Sequence, residues 1–128
     1  MRRLILLGSL LALAACATGP QPPSRTFVVF FPEWSAGIDA AATTVVGGAA
    51  DLAKQNPAGT ITVTGYADLL GSAQANMDIS ALRAQVVTDA LIADGIASSR
   101  IQQRAIGSVA PALGSQQSRR VEIAVGTP

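Results

Sequence analysis

The spacing of apolar positions changes repeatedly along the chain, and each change predicts an element. Thr26–Phe31 (TFVVFF) is a short β-branched and aromatic run stopped by Pro32, the pattern of a strand buried on both faces. From Ile38 to Lys54, positions Ile38, Ala42, Val45, Ala49 and Leu52 recur at the helical period. Gly47 and Gly48 interrupt that helix at a cost of about 1 kcal/mol each, so it depends on packing. Asn56-Pro57 ends it and Ala58-Gly59 turns the chain. Thr60–Thr64 (TITVT) alternates as a strand does, and a loop follows from Gly65 to Gly71. A second helix runs from Ala73 to Asp94 with Gly95 as its stop, and Ile101–Ile106 and Arg120–Val125 are the last strands. The order strand–helix–strand–helix–strand–strand predicts an α+β two-layer sandwich, a mixed four-stranded sheet with both helices on one face.

The second helix carries the most chemistry. At 100° per residue, Ile79, Leu82, Val86, Ala90 and Ala93 form one apolar stripe, expected to pack on the sheet. Asn76, Ser80 and Arg83 form a polar row beside it, and Asp78, Gln85 and Asp89 fall on the solvated side. Arg83 is therefore expected at the rim of the core, with its stem packed and its fork aimed. Such an arginine either staples the helix to a loop carboxylate or receives a ligand.

The N-terminus reads as an address. Arg2-Arg3 precedes a twelve-residue apolar run, Leu4 to Ala15, in the order of a secretory signal and too short for the roughly 20 residues of a spanning helix. Leu13-Ala14-Ala15-Cys16 resembles a bacterial lipobox, which makes Cys16 the expected site of lipidation. Ala17, where an aspartate often marks inner-membrane retention, favours the outer membrane with the domain facing the periplasm. Ala17 to Arg25 (ATGPQPPSR) is a proline-rich tether that reaches roughly 30 Å. The expected organisation is a signal peptide over 1–15, a lipidated cysteine and tether over 16–25, and one domain over 26–128.

Composition narrows the chemistry. Of 128 residues, 49% are hydrophobic, so the chain can bury a core. Five are aromatic, so the core is built from Ala, Val, Ile and Leu. There is no histidine and one cysteine, which excludes a histidine-dependent triad, a His/Cys zinc site and an intramolecular disulfide. The net charge of +1 includes Arg2 and Arg3. Beyond the leader the chain is slightly acidic and has no basic stripe for nucleic acid.

Gly65-Tyr66-Ala67-Asp68-Leu69-Leu70-Gly71 resembles the G-[HY]-T-D-x-x-G loop of OmpA C-terminal-like domains. Asn76 to Ala84 matches their N-x-x-L-S-x-x-R-A with Ile79 for the leucine. Gly95-Ile96 and Arg100-Ile101 fit G-I-x-x-x-R-I, Gly107 to Pro111 fits G-x-x-x-P, and Arg119 to Ile123 fits R-R-V-E-I. The resemblance spans residues 26–125, and a lipobox ahead of such a domain is the layout of the peptidoglycan-associated lipoprotein group. It implies peptidoglycan binding, with Asp68 and Arg83, fifteen residues apart, clamping the meso-diaminopimelate of the peptide stem. An aspartate accepts from the ligand's ammonium while a guanidinium fork grips its carboxylate. Asn76 adds an amide, and Arg119 and Arg120 are the further cations expected to face the site. Three positions depart from the family pattern. Ala67 replaces a threonine, Ser118 an asparagine, and Phe31-Pro32-Glu33-Trp34 stands near where an F-D segment is usual.

The expected function is a non-catalytic, cofactor-free link between membrane and wall. The alternative is an envelope protein-interaction module on the same fold. A glycosidase would need paired carboxylates, and Asp68 with Glu33 is one pair to weigh. An aspartate beside an arginine suits an ion-pair clamp better than a general acid.

Overall fold

The computed structural model describes residues 23–110 and 114–128, so the leader, Cys16, most of the tether and Pro111 lie outside the described residues. Within them, β1 (Ser24–Phe30), α1 (Ala40–Gln55), β2 (Ile61–Ala67), α2 (Ala73–Ala93), β3 (Ile101–Ser108), the one-turn α3 (Ser115–Ser118) and β4 (Arg120–Gly126) follow in order. The sheet order is β1-β4-β2-β3. β2 and β3 are parallel, joined by the crossover through α2, and β4 pairs antiparallel with both β1 and β2. This is the expected α+β sandwich with a mixed sheet.

Both helices cover one face of the sheet. Ile61 and Val63 of β2 and Val121, Ile123 and Val125 of β4 are fully buried there, under Val46 and Ala49 of α1 and Ala84, Val87 and Leu91 of α2. The alanines of α1 bring its backbone close to the strands. Its two central glycines do not break it, because the packed face supplies what their propensity lacks. Asp39 caps α1 by accepting from the Ala42 amide at 2.7 Å, and Ser72 caps α2 by accepting from Ala75 at 3.1 Å. The Arg100 guanidinium donates to the carbonyls of Ala53, Asn56 and Gly59 at 2.9–3.0 Å, tying down the end of α1 and the turn after it.

Three expectations are corrected. β1 is an edge strand with one covered face. Val29 is buried while Phe30 is 47% exposed on the face without helices. β2 continues through Gly65-Tyr66-Ala67, so the loop begins only at Asp68. A Cβ at Gly65 would collide with the Ser80 carbonyl, so the backbone of α2 lies close against the sheet here. Finally, α2 is rotated from its expected setting. Its buried face is Asn76, Ser80, Arg83, Ala84, Val87, Thr88 and Leu91, while Leu82 is 52% exposed and Ala93 lies in solvent. The polar row is the inward face, because each of its side chains finds a partner there. Asn76 Nδ2 donates to Ser108 Oγ at 2.7 Å, and Ser80 Oγ accepts from the Gly107 amide at 3.0 Å.

Candidate functional site

The carboxyl end of β2, the start of α2, the β1–α1 connection and the residue before β4 meet at one end of the sheet. They bring Asp68, Asn76, Arg83 and Arg119 to a common cleft, lined also by Glu33, Trp34, Ala67 and Ile79.

Asp68 opens the loop after β2. Its Oδ1 accepts from the Leu70 amide at 2.9 Å, an Asx turn that fixes the carboxylate. Its Oδ2 pairs with Arg119 Nη1 at 3.2 Å. Arg119 also donates through Nε to Phe31 O at 3.2 Å, and its side chain keeps 15% of its surface in solvent.

Arg83 is fully buried, at 1% exposure, rather than at the rim. It forms no hydrogen bond with Asp68. Nε donates to Ser35 O at 2.8 Å, Nη2 to Pro32 O at 3.0 Å and Nη1 to Tyr66 O at 3.2 Å, and the guanidinium lies 5.4 Å from the centre of the Phe31 ring. Three of its five N–H groups are used, and one remains on each terminal nitrogen. Burial pulls its pKa down, the Asp68 charge pushes back, and Arg119 adds to the fall. The group stays a cation, since arginine begins so high. The lining of the cleft thus holds two guanidinium groups, Arg83 and Arg119, and two carboxylates, Asp68 and the exposed Glu33. A carboxylate entering it meets the free N–H groups of Arg83, and an ammonium meets Asp68.

Arg120, one residue beyond Arg119, is not at the cleft. It begins β4 opposite Phe30 and lies on the face of the sheet without helices, paired with Glu122 at 2.9 Å and stacked 4.1 Å from the centre of the Tyr66 ring. The alternation of side chains along a strand separates it from its neighbour. Asn76 is buried and lines the cleft, with one of its two amide N–H groups donated to Ser108. Among the described residues no group of three or more histidine, cysteine or carboxylate side chains is placed to hold a metal ion.

Sequence reasoning missed Trp34. It is the third residue of a turn closed by the Ser35 amide on Pro32 O at 3.2 Å, with a φ of 49° that favours glycine or asparagine. A bulky residue there carries strain of about 1–2 kcal/mol. A Pro-x-x-Ser turn with tryptophan at its third position was the available signal.

The OmpA family matches residues 30–122. The peptidoglycan-binding protein ArfA of Mycobacterium tuberculosis is 40% identical over 82 residues, 59% of this chain and 25% of that protein. The probable lipoprotein YiaD of Escherichia coli is 37% identical over 101 residues, 74% of this chain and 46% of its own length. The chain therefore spans less than half the length of these curated relatives. Among solved structures, the peptidoglycan-associated lipoprotein of Burkholderia pseudomallei superposes with a TM-score of 0.72 at 23% identity, covering 77% of this chain and 89% of that one. The C-terminal domain of Helicobacter pylori MotB superposes with a TM-score of 0.68 at 23% identity, covering 81% and 85%. At that level of identity the likeness concerns the fold.

Proposed function

We propose that this chain, which belongs to the OmpA family, is a non-catalytic module that binds peptidoglycan and links it to a membrane. The observation that carries the reading is the convergence of Asp68, Arg83 and Arg119 on one cleft, where an acceptor and guanidinium donors stand together for a zwitterionic ligand. The amino-acid end of meso-diaminopimelate has an ammonium and a carboxylate on one carbon. Asp68 accepts from the ammonium, and the carboxylate takes the remaining N–H groups of Arg83 together with Arg119. Arg119 is the exchangeable member of the set, since its contact with Asp68 is long and partly solvated. The fixed members are Asp68, held by its turn, and Arg83, held by three carbonyls. The name of ArfA, a peptidoglycan-binding protein, supports the ligand class.

Hydrogen bonds to charged groups contribute roughly 1.5–3 kcal/mol each. Three or four of them, less the cost of immobilising the ligand, give weak binding to one stem. A lipid on Cys16 and a tether of about 30 Å hold the domain among many stems, which raises the effective affinity. YiaD, by its name a probable lipoprotein, supports that anchor, and we place the chain at the outer membrane facing the periplasm.

The test is co-sedimentation of residues 17–128 with purified sacculi. All buried apolar residues of the described core lie between Val29 and Val125, so this piece holds that core whole. The native domain is expected to pellet, Asp68→Asn to stay in solution while folded, and Arg120→Ala to pellet like the native domain. Pelleting of Asp68→Asn at the native level would refute the clamp. A second reading, an envelope protein-interaction module, draws on the exposed apolar Leu69 and Leu70 beside the cleft. It gains if the folded native domain stays in solution.

A further inference from the structure

We infer that Trp34 is a gate over the Asp68–Arg83–Arg119 cleft, shut in this structure, and that a ligand enters only when its indole swings off Gly71. The inference rests on the cleft being a binding site, as proposed above. The cleft has a volume of about 10 Å³, space for a single water, whereas sites for small molecules usually run to roughly 300 Å³ or more. Its charged groups converge, yet nothing larger than water fits among them. Trp34 is one of the lining residues, and its six-membered ring lies against Gly71, across the mouth from its own loop. A Cβ added at Gly71 would stand 2.5 Å from the indole Cη2. The two loops that flank the mouth are thus bridged by one side chain.

Two further observations mark that side chain as the movable part. Trp34 is half exposed, so swinging outward gives up the contacts of its covered half alone, among them those with Gly71 and the cleft. Its backbone sits at positive φ, a conformation that disfavours a bulky residue, and rotation of the turn relieves it. The turn is also wired to the site. Arg83 donates to the carbonyls of both its first and last residues, Pro32 and Ser35, so a carboxylate that draws on the Arg83 fork pulls on the segment that carries the indole.

The test has two arms on residues 17–128, in which Ala67→Cys is the only thiol. Ala67 lines the cleft and is 1% exposed. In the first arm, which needs no ligand, the rate of labelling by a small thiol reagent is compared with and without Trp34→Gly. Ala93→Cys, on the exposed side of α2, is the control. A cleft open roughly a tenth of the time labels about tenfold slower than one without the indole. Trp34→Gly is therefore expected to speed labelling at Ala67→Cys about tenfold or more and to leave Ala93→Cys unchanged. Equal rates at Ala67→Cys, or a rise at both positions, would overturn the gate. In the second arm a soluble diaminopimelate-containing stem tripeptide is mixed with native and Trp34→Gly domains of the natural Ala67. Faster association with Trp34→Gly supports the gate, and equal rates overturn it. If neither domain binds while the labelling difference stands, the gate holds and the proposed ligand falls. Trp34→Ala repeats both arms with the backbone left at positive φ, which separates removal of the ring from relief of the turn.

Discussion

Replacing Arg83 by alanine is expected to be a stability experiment before it is a binding experiment. The guanidinium makes three charge-assisted hydrogen bonds, to Ser35 O, Tyr66 O and Pro32 O, and lies over the ring of Phe31. At roughly 1.5–3 kcal/mol each, these bonds set an upper bound near 9 kcal/mol, and water restores part of it at the partly exposed carbonyls. Losing one member of a buried charged network typically costs about 3–5 kcal/mol, and we expect about 3–4 kcal/mol here. That is a large share of the roughly 5–15 kcal/mol by which a domain is stable. For a domain of this size it corresponds to a fall in Tm of roughly 12–30 °C. The assay is urea unfolding of residues 17–128, followed by far-ultraviolet circular dichroism and by the fluorescence of Trp34, the only tryptophan. Arg83→Lys keeps the charge but reaches fewer carbonyls, and should fall between the two. A loss below about 1 kcal/mol for Arg83→Ala would refute the structural role and imply that the guanidinium is free to leave its carbonyls. The expected loss also explains why Asp68→Asn is the cleaner probe of wall binding. A partly unfolded Arg83→Ala would fail to pellet for a reason unrelated to the ligand.

Further outcomes follow from other contacts. Gly65→Ala drives a methyl into the Ser80 carbonyl and should cost about 3 kcal/mol in urea unfolding, with Ala67→Gly nearby costing less. Arg100→Met leaves the carbonyls of Ala53, Asn56 and Gly59 without their donor, and should lower stability by about 2–3 kcal/mol while sacculus pelleting at 25 °C is retained. The Tyr66 phenol is pushed above its ordinary value of 10.0 by burial first and by the Glu122 charge next, against the pull of Arg120. The unfolded chain thus releases that proton first, so its stability contribution is complete below pH 10 and declines as pH rises towards the folded value. Tyr66→Phe should remove this part of the decline in alkaline urea titrations, and an unchanged pH profile would contradict the assignment.

Periodicity alone was enough for the order of elements, and hence for the two-layer sandwich, because apolar spacing of two or of three to four is a local property of the chain. The two long helices and all four strands were legible with ends shifted by a few residues, whereas the one-turn α3 was not. The candidate site was legible as a spacing, Asp68 to Arg83, but its wiring was not. Which face of α2 turns inward was decided by partners far away in sequence. Asn76 and Ser80 meet the end of β3, and Arg83 meets carbonyls of the β1–α1 connection 48 and 51 residues earlier. A hydrophobic stripe counts apolar atoms and cannot register that a buried arginine has three acceptors waiting, so Ile79 and Leu82 looked like the core and Arg83 like the rim. The same holds for Arg119 and Arg120, equivalent as sequence neighbours. Only the point at which β4 pairs with β1 sends one to Asp68 and the other to Glu122 on the opposite face. The chemistry of the site was thus written in residue types, while burial, pairing and access were set by the sheet register and by the close approach of α2 at Gly65.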